Sequence, residues 1–248
     1  MGVRVVCFAH AGAGVSAFRH WRELSGGAVD PQPMLLPGRD GRRREARVTG
    51  RAELLGDLRA LFDDPPPGPY ILYGHSLGGI VAYTVARALH EAGLPLPELL
   101  AIGACPPPDA PPGLSGAAGA PDEELLRLLD GFGAAPAGTR AGDLWHRKVF
   151  PVLRDDLRLA SALRTAALQP SVAGPLPVPL LAVAGAEDPL AGAEALAGWS
   201  RWTSGRFVRR TLPGGHFFVR DRELPRLIGR AGRIVRRARV HADAGAHA

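Results

Sequence analysis

The feature that most constrains the fold is one stretch, residues 69–82, in which an apolar strand turns sharply into a helix. It reads PYILYGHSLGGIVA, with β-prone residues before the motif Gly74-x-Ser76-x-Gly78 and helix formers after it. Glycines two positions before and two after Ser76 let neighbouring backbone pass where a Cβ would clash, so the serine hydroxyl stands clear of the sheet. This context predicts a nucleophile elbow, which the five-residue motif alone would not.

Apolar β-type runs alternate with helical patterns along most of the chain. The runs cover residues 3–8, 34–36, 70–73, 99–104, 179–184 and 207–212. Apolar residues at three- and four-residue spacing predict helices over 15–24, 51–62, 79–92, 191–202 and 221–237. Strands that are apolar throughout are buried on both faces, which predicts an α/β fold with a mainly parallel central sheet flanked by helices. A length of 248 residues suits a single domain over 1–248.

The alternation is interrupted between residues 106 and 177. Linkers rich in proline and glycine there flank helical patterns at 122–129 and about 144–168. These helices could simply pack on the core, but a segment inserted at the carboxyl end of a parallel sheet lies over the functional site of an α/β enzyme. We therefore predict a helical lid over about 106–177. The tail, about 239–248, has no core-forming pattern and is predicted to be disordered.

Composition narrows the choice of partners. The formal net charge is +6, and arginine clusters at 42–44, 209–210 and 230–237 contribute much of the positive charge. Nucleic-acid binding is disfavoured because these clusters are not interleaved with exposed aromatic residues and belong to no recognised binding module. A positive balance instead favours encounter with an acidic protein.

The cysteines and the first residues suggest a compartment. Cys7 and Cys105 both lie in or beside apolar runs, where a free thiol is usually a small buried group. The segment 1–8 enters a strand directly and lacks the apolar core of a secretory signal, and no stretch is long enough to cross a membrane. We therefore expect a cytoplasmic protein with no membrane partner. No cluster has the spacing of metal ligands, and no metal is expected.

A serine nucleophile needs a base within hydrogen-bond reach and a carboxylate that orients this base. His216 is the candidate base because it follows the last apolar run, in the loop sequence GGHFF. The other histidines outside the loop at 10–14 lie on helical or tail segments, or, as His75 does, at the variable position of the elbow. The His75 side chain is predicted to point away from the reaction.

Two carboxylates compete for the role of the acid. Asp188 lies in the loop after the run 179–184, and Pro189 restricts its backbone to an extended geometry. Asp109 follows the run 99–104, one strand earlier, where some serine hydrolases carry their acid. Strand position favours Asp188, and the neighbouring Glu187 is expected to be solvated.

A tetrahedral intermediate also needs hydrogen-bond donors for its oxyanion. The backbone N–H of Leu77, at the start of the elbow helix, is one candidate donor. The second is predicted to be the N–H of Ala11, in the loop 10–14 of sequence HAGAG. A phosphate-binding loop is the alternative for that segment, but it lacks the P-loop lysine and the GxGxxG spacing.

Taken together, the motifs resemble the type II thioesterases of polyketide and nonribosomal peptide synthetase systems. The resemblance runs from about residue 3 to about 228. In chain order it rests on FAHAG at 8–12, LPGR at 36–39, RE at 44–45, GHSLGG at 74–79, DDL at 155–157, GAEDP at 185–189, Trp199 and GGHFF at 214–218.

The resemblance implies an α/β-hydrolase fold, the triad Ser76, Asp188 and His216, and oxyanion donors at Leu77 and Ala11. It also implies an editing enzyme that hydrolyses acyl or aminoacyl thioesters from the phosphopantetheine arm of carrier proteins, with no cofactor. We expect a monomer that binds the carrier transiently. The alternatives are a chain-releasing or cyclising thioesterase, a general carboxylesterase, and an inactive hydrolase-fold module that only binds.

Overall fold

The computed structural model describes residues 2–64, 66, 68–131, 133–134 and 138–245, without the side chains of 240–245. Six strands of this described part form one sheet in which every neighbouring pair is parallel, in the order β2-β1-β3-β4-β5-β6. The strands are β1 Val3–Phe8, β2 Val29–Met34, β3 Tyr70–His75, β4 Leu99–Gly103, β5 Leu180–Gly185 and β6 Phe207–Leu212. The predicted α/β architecture with a parallel sheet is confirmed.

Burial on both faces explains why strands inside the sheet could be predicted from the sequence. Every residue of β3 and of β5 is buried, as a strand covered on both faces requires. The residues of β6 are half-buried or exposed, because this strand pairs with β5 alone at one edge of the sheet.

The second strand was predicted at 34–36, and this prediction was wrong. β2 instead covers Val29–Met34 and contains Pro31 and Pro33, which argue against a strand in the middle of a sheet. β2 is an edge strand that pairs only with β1. Since its two prolines are two positions apart, both missing N–H groups point to the same side, and the free edge of the sheet tolerates them.

Eight α-helices are present among the described residues. They are α1 Trp21–Leu24, α2 Arg51–Asp57, α3 Ala60–Asp63, α4 Leu77–Glu91, α5 Asp122–Asp130, α6 Leu144–Ala167, α7 Ala193–Ala197 and α8 Glu223–Gly245. Three helices that were predicted as continuous are divided. A 3₁₀ turn Val15–Phe18 precedes α1, a break at 58–59 separates α2 from α3, and α7 passes into a 3₁₀ turn Gly198–Trp202.

The segment between β4 and β5 contains α5 and α6, close to the predicted helical stretches. These two helices share a small apolar cluster of their own, formed by Leu125, Leu126, Leu129, Phe150, Leu153 and Leu157. Asp122 of α5 also pairs with His146 and Arg154 of α6. The inserted helices therefore form a unit with internal contacts of its own.

The last helix extends further than predicted, since α8 continues to Gly245. It enters the tail expected to be disordered, of which residues 246–248 lie outside the described part. Cys7 and Cys105 are both buried and free, as predicted. In the part of the chain that the structure describes, no helix is both long enough and apolar enough to cross a bilayer.

Candidate active site

Ser76 occupies the sharp turn between β3 and α4. Its backbone has φ 55° and ψ −117°, a conformation that costs energy for a residue with a side chain. A Cβ at Gly74 would lie 1.8 Å from the carbonyl oxygen of Gly78, and one at Gly78 would lie 2.0 Å from that of Phe8. Only glycine fits at either position, so the structure contains the strained turn that the motif predicts.

Three loops bring Ser76, His216 and Asp188 together. The Ser76 hydroxyl lies 3.0 Å from His216 Nε2, and His216 Nδ1 lies 2.9 Å from Asp188 Oδ2. Both His216 and Asp188 are buried. This is the geometry in which an imidazole accepts the proton of a serine while a carboxylate holds the opposite ring nitrogen.

The backbone of its own loop holds Asp188 in place. Asp188 Oδ1 accepts hydrogen bonds from the N–H groups of Leu190 (2.9 Å) and Ala191 (3.2 Å). The rival acid Asp109 instead accepts hydrogen bonds from the side chains of Arg201 and Trp202. Asp109 has no contact with His216 among the hydrogen bonds of the described residues, so the geometry favours Asp188.

The two candidate oxyanion donors flank the serine. Ala11 and Leu77 both line one small cavity together with Ser76 and His216. Within the described part of the chain, neither of their backbone N–H groups donates a hydrogen bond to another residue. Free amides beside a nucleophile are what an oxyanion hole requires, and their role stays a prediction.

Two cavities meet at Ser76. The wider one has a volume of about 400 Å³ and includes polar groups in its wall, among them His10, Ser16 and Arg220. The narrower one has a volume of about 100 Å³, and apolar side chains form most of its wall, among them Leu77, Ile80, Leu157, Ala160 and Leu190. Leu114, Leu153 and Leu157 come from the inserted segment, which thus contributes to the walls of both cavities; its role as a lid stays a prediction.

A buried ion pair ties the inserted helix α6 to the loop that carries Ala11. The guanidinium of Arg39 donates to both carboxylate oxygens of Asp156, at 2.9 and 2.6 Å, and Asp156 is only 1% exposed. Asp156 Oδ2 also accepts the backbone N–H of Gly12 at 2.7 Å, and Arg39 donates to the carbonyl of Ala13. The lid helix and the candidate oxyanion loop therefore share one carboxylate.

Asp156→Asn is expected to destabilise the protein by about 3 kcal/mol, because it leaves the buried charge of Arg39 without a counter-charge. It should also lower kcat/KM by roughly 10-fold, since displacing the loop at 10–14 weakens part of the stabilisation that one oxyanion donor provides. Urea unfolding and steady-state kinetics measure the two effects.

The adjacent Asp155 provides a matched control. It lies on the same helix and pairs with Arg47 and Arg158 nearer the surface, and none of its hydrogen bonds or ion pairs among the described residues reaches the loop at 10–14. Asp155→Asn should change the unfolding free energy by less than about 1 kcal/mol and leave kcat/KM unchanged. Equal effects of the two substitutions would contradict the role given to Asp156.

The sequence suggested that the His75 side chain points away from the reaction, but it did not suggest what holds this side chain. His75 is completely buried; its Nε2–H donates to the carbonyl of His216 at 2.7 Å, and its Nδ1 accepts from the Tyr73 hydroxyl at 2.8 Å. Burial holds the pKa of His75 well below its ordinary value, so the ring is neutral. His75 therefore anchors the loop of His216 without facing either cavity.

No group of three or more histidine, cysteine, aspartate or glutamate side chains in the described residues is arranged to hold a metal ion.

Comparison with known proteins identifies the family. A family model described as a thioesterase domain matches residues 3–234. The chain belongs to the thioesterase family. Thioesterase PikA5 of Streptomyces venezuelae is 33% identical to this thioesterase over 228 residues, which cover 88% of this chain and 76% of that protein.

Solved structures agree with this assignment. The RedJ thioesterase from the prodiginine biosynthetic pathway of Streptomyces coelicolor matches with a TM-score of 0.79 and 33% identity, covering 92% of this chain and 89% of that one. YbtT, a type II thioesterase from the yersiniabactin NRPS/PKS biosynthetic pathway, matches with a TM-score of 0.79 and 25% identity, covering 94% of each chain. The resemblance to type II thioesterases and the α/β-hydrolase fold are thereby confirmed.

Proposed function

We propose that this thioesterase uses Ser76, His216 and Asp188 to hydrolyse acyl or aminoacyl thioesters from the phosphopantetheine arm of carrier proteins. Its role would be to edit the synthetases of polyketide or nonribosomal peptide biosynthesis. The observation that carries the proposal is the 3.0 Å contact between Ser76 Oγ and His216 Nε2 at the junction of two cavities. The similarity to YbtT, a type II thioesterase from an NRPS/PKS biosynthetic pathway, supports the substrate class.

In the first half of the reaction, His216 Nε2 accepts the proton of the Ser76 hydroxyl as Oγ attacks the thioester carbonyl. Asp188 stabilises the imidazolium that forms, because its carboxylate lies 2.9 Å from Nδ1. The N–H groups of Leu77 and Ala11 hold the oxyanion. The C–S bond then breaks, the pantetheine thiol leaves with the proton from His216, and the acyl group stays on Ser76.

In the second half, water takes the place of the departed thiol. His216 accepts a proton from this water as its oxygen attacks the acyl-Ser76 ester, and the same imidazole returns the proton to Ser76 Oγ as the ester breaks. The products are a free carboxylic acid and the original serine. Asp188 keeps the imidazole proton on Nδ1 throughout, so that Nε2 can accept the incoming proton in each half.

The two cavities suit the two sides of a thioester. The narrow cavity has the apolar wall that an acyl group requires, whereas the wide cavity offers polar groups to a polar thiol arm. A volume of about 100 Å³ is smaller than the roughly 150 Å³ of an apolar protein cavity that holds one benzene molecule. The proposal therefore includes short acyl groups as the preferred substrates.

The acyl preference gives a direct prediction. Propionyl and butyryl groups on one carrier protein should be hydrolysed with a kcat/KM at least about 10-fold above that of a decanoyl group. Ala160→Leu, whose larger side chain fills part of the narrow cavity, should lower kcat/KM for the butyryl carrier about 10-fold. It should leave kcat/KM for the acetyl carrier within about 3-fold of the original.

The neighbouring Ala162 does not line either cavity, so Ala162→Leu is the matched control and should change neither rate. Hydrolysis is followed by mass spectrometry of the carrier. A decanoyl preference, or an equal effect of Ala160→Leu on acetyl and butyryl, would contradict the assignment of the narrow cavity.

The same panel separates the alternative functions. Hydrolysis of short misprimed acyl carriers in preference to a mature chain supports the editing role, and the reverse preference would favour a chain-releasing or cyclising enzyme. Faster turnover of oxygen esters would favour a carboxylesterase, and no turnover of any ester would favour a binding module. The cytoplasmic location, the monomeric state and transient binding to the carrier remain predictions.

A further inference from the structure

His10 is a buried histidine that the mechanism above does not use. It lies between β1 and Ala11, is only 7% exposed, and lines the wide cavity together with Ser76. Its ring packs edge-on against Phe217, at a centroid distance of 5.0 Å, and against His75, at 6.0 Å. Packing on two sides fixes the orientation of the imidazole within the cavity wall.

The imidazole of His10 has no hydrogen-bond partner among the described residues. Nδ1 is shielded from solvent and unpaired. Nε2 is not fully shielded, so it is the ring nitrogen that solvent in the cavity can reach. Buried polar side chains are almost always paired, and an unpaired one costs about 1–3 kcal/mol. A polar group kept unpaired beside the nucleophile points to a partner that arrives with the substrate.

The charge state decides what kind of partner fits. Burial lowers the pKa of His10 to about 3, and the positive charge of Arg220 acts in the same direction. The ring is therefore neutral and carries one N–H. An N–H on the buried Nδ1 would have no acceptor, whereas one on Nε2 faces the cavity, so we place the proton on Nε2 and His10 presents a hydrogen-bond donor to the wide cavity.

We propose that His10 is a binding residue whose Nε2–H donates a hydrogen bond to an amide carbonyl of the pantetheine arm. This inference rests on the proposed function. His10 lines the wide cavity but not the narrow one, which places it on the thiol side of the thioester rather than the acyl side. The first amide of pantetheine lies only two methylene groups from the sulfur, close enough to reach the wall beside Ser76.

The test compares two carrier-free propionyl thioesters, one of pantetheine and one of butanethiol, which has no amide. His10→Phe should lower kcat/KM about 10-fold for the pantetheine thioester, mainly by raising KM, and change it less than about 2-fold for the butyl thioester. His10→Gln, whose amide N–H can replace the donor, should restore most of the loss. His20→Phe, at an exposed histidine, is the matched control and should affect neither substrate.

Equal losses on the two thioesters would overturn the proposal, because they would indicate a purely structural role. The proposal would also be overturned if His10→Phe lowered kcat/KM for 3-hydroxybutyryl pantetheine but not for butyryl pantetheine. If His10→Phe does not fold, kcat/KM of His10→Gln and of His10→Asn is compared on both thioesters. A difference between these two variants that is confined to the pantetheine thioester supports the proposal. Failure of the unaltered enzyme to hydrolyse either thioester would instead contradict the proposed function.

Discussion

Replacing Ser76 by alanine is expected to lower kcat for hydrolysis of a propionyl carrier protein by a factor on the order of 10⁴ to 10⁶. Without Oγ no acyl-enzyme can form, and water has to attack the thioester directly. The predicted oxyanion donors, the N–H groups of Leu77 and Ala11, would still assist that attack, so a small residual rate above the uncatalysed reaction is expected.

The measurement is the release of free carrier thiol, followed by mass spectrometry. Ser161→Ala, at an exposed serine of α6, should retain full activity and controls for handling of the variants. The midpoint temperature of thermal unfolding of the Ser76→Ala protein should be unchanged or slightly raised, because alanine keeps the turn while the hydroxyl is lost. A variant with a tenth or more of the original kcat would exclude Ser76 as the nucleophile.

The second large effect is expected from Asp188→Asn, with a loss in kcat of about 10⁴-fold near neutral pH. The N–H groups of Leu190 and Ala191 both donate to Oδ1, so the asparagine has to place its carbonyl oxygen there. Its NH₂ group then faces His216 Nδ1 as a donor. The imidazole proton is forced onto Nε2, and His216 can no longer accept the proton of Ser76.

Nitrogen NMR of His216 would report this change of tautomer directly. Asp109→Asn is the natural control, because Asp109 was the rival candidate for the acid and pairs with Arg201 and Trp202 instead. Its kcat should stay within about 2-fold of the original. A large loss in Asp109→Asn combined with an active Asp188→Asn would exchange the roles of the two carboxylates.

The elbow was predictable because its constraints are local. The geometry at Ser76 depends on glycines two residues away, and a Cβ at either one would collide with backbone. The buried strands β3 and β5 were equally predictable from the sequence, since a strand covered on both faces is apolar throughout. The positions of His216 and Asp188 followed from the order of loops after successive strands.

The features that sequence reasoning missed depend on distant contacts. β2 was predicted a few residues too far toward the C-terminus, because its two prolines argue against a strand. Only its position at the edge of the sheet makes them acceptable. The motifs that contain Arg39 and Asp156 were noted, but nothing local indicates that these side chains pair across 117 positions. The lack of a partner for His10 likewise becomes visible only when its surroundings are known.

In the proposed mechanism, the side chain at position 76 receives the acyl group from the thioester. The most direct measurement replaces Ser76 by 2,3-diaminopropionate, whose amine attacks the thioester, releases the carrier thiol and keeps the acyl group as a stable amide. After incubation with propionyl carrier protein, the enzyme should gain the mass of one propionyl group, located by peptide mapping at residue 76. No added mass, or a propionyl group on another residue, would contradict it.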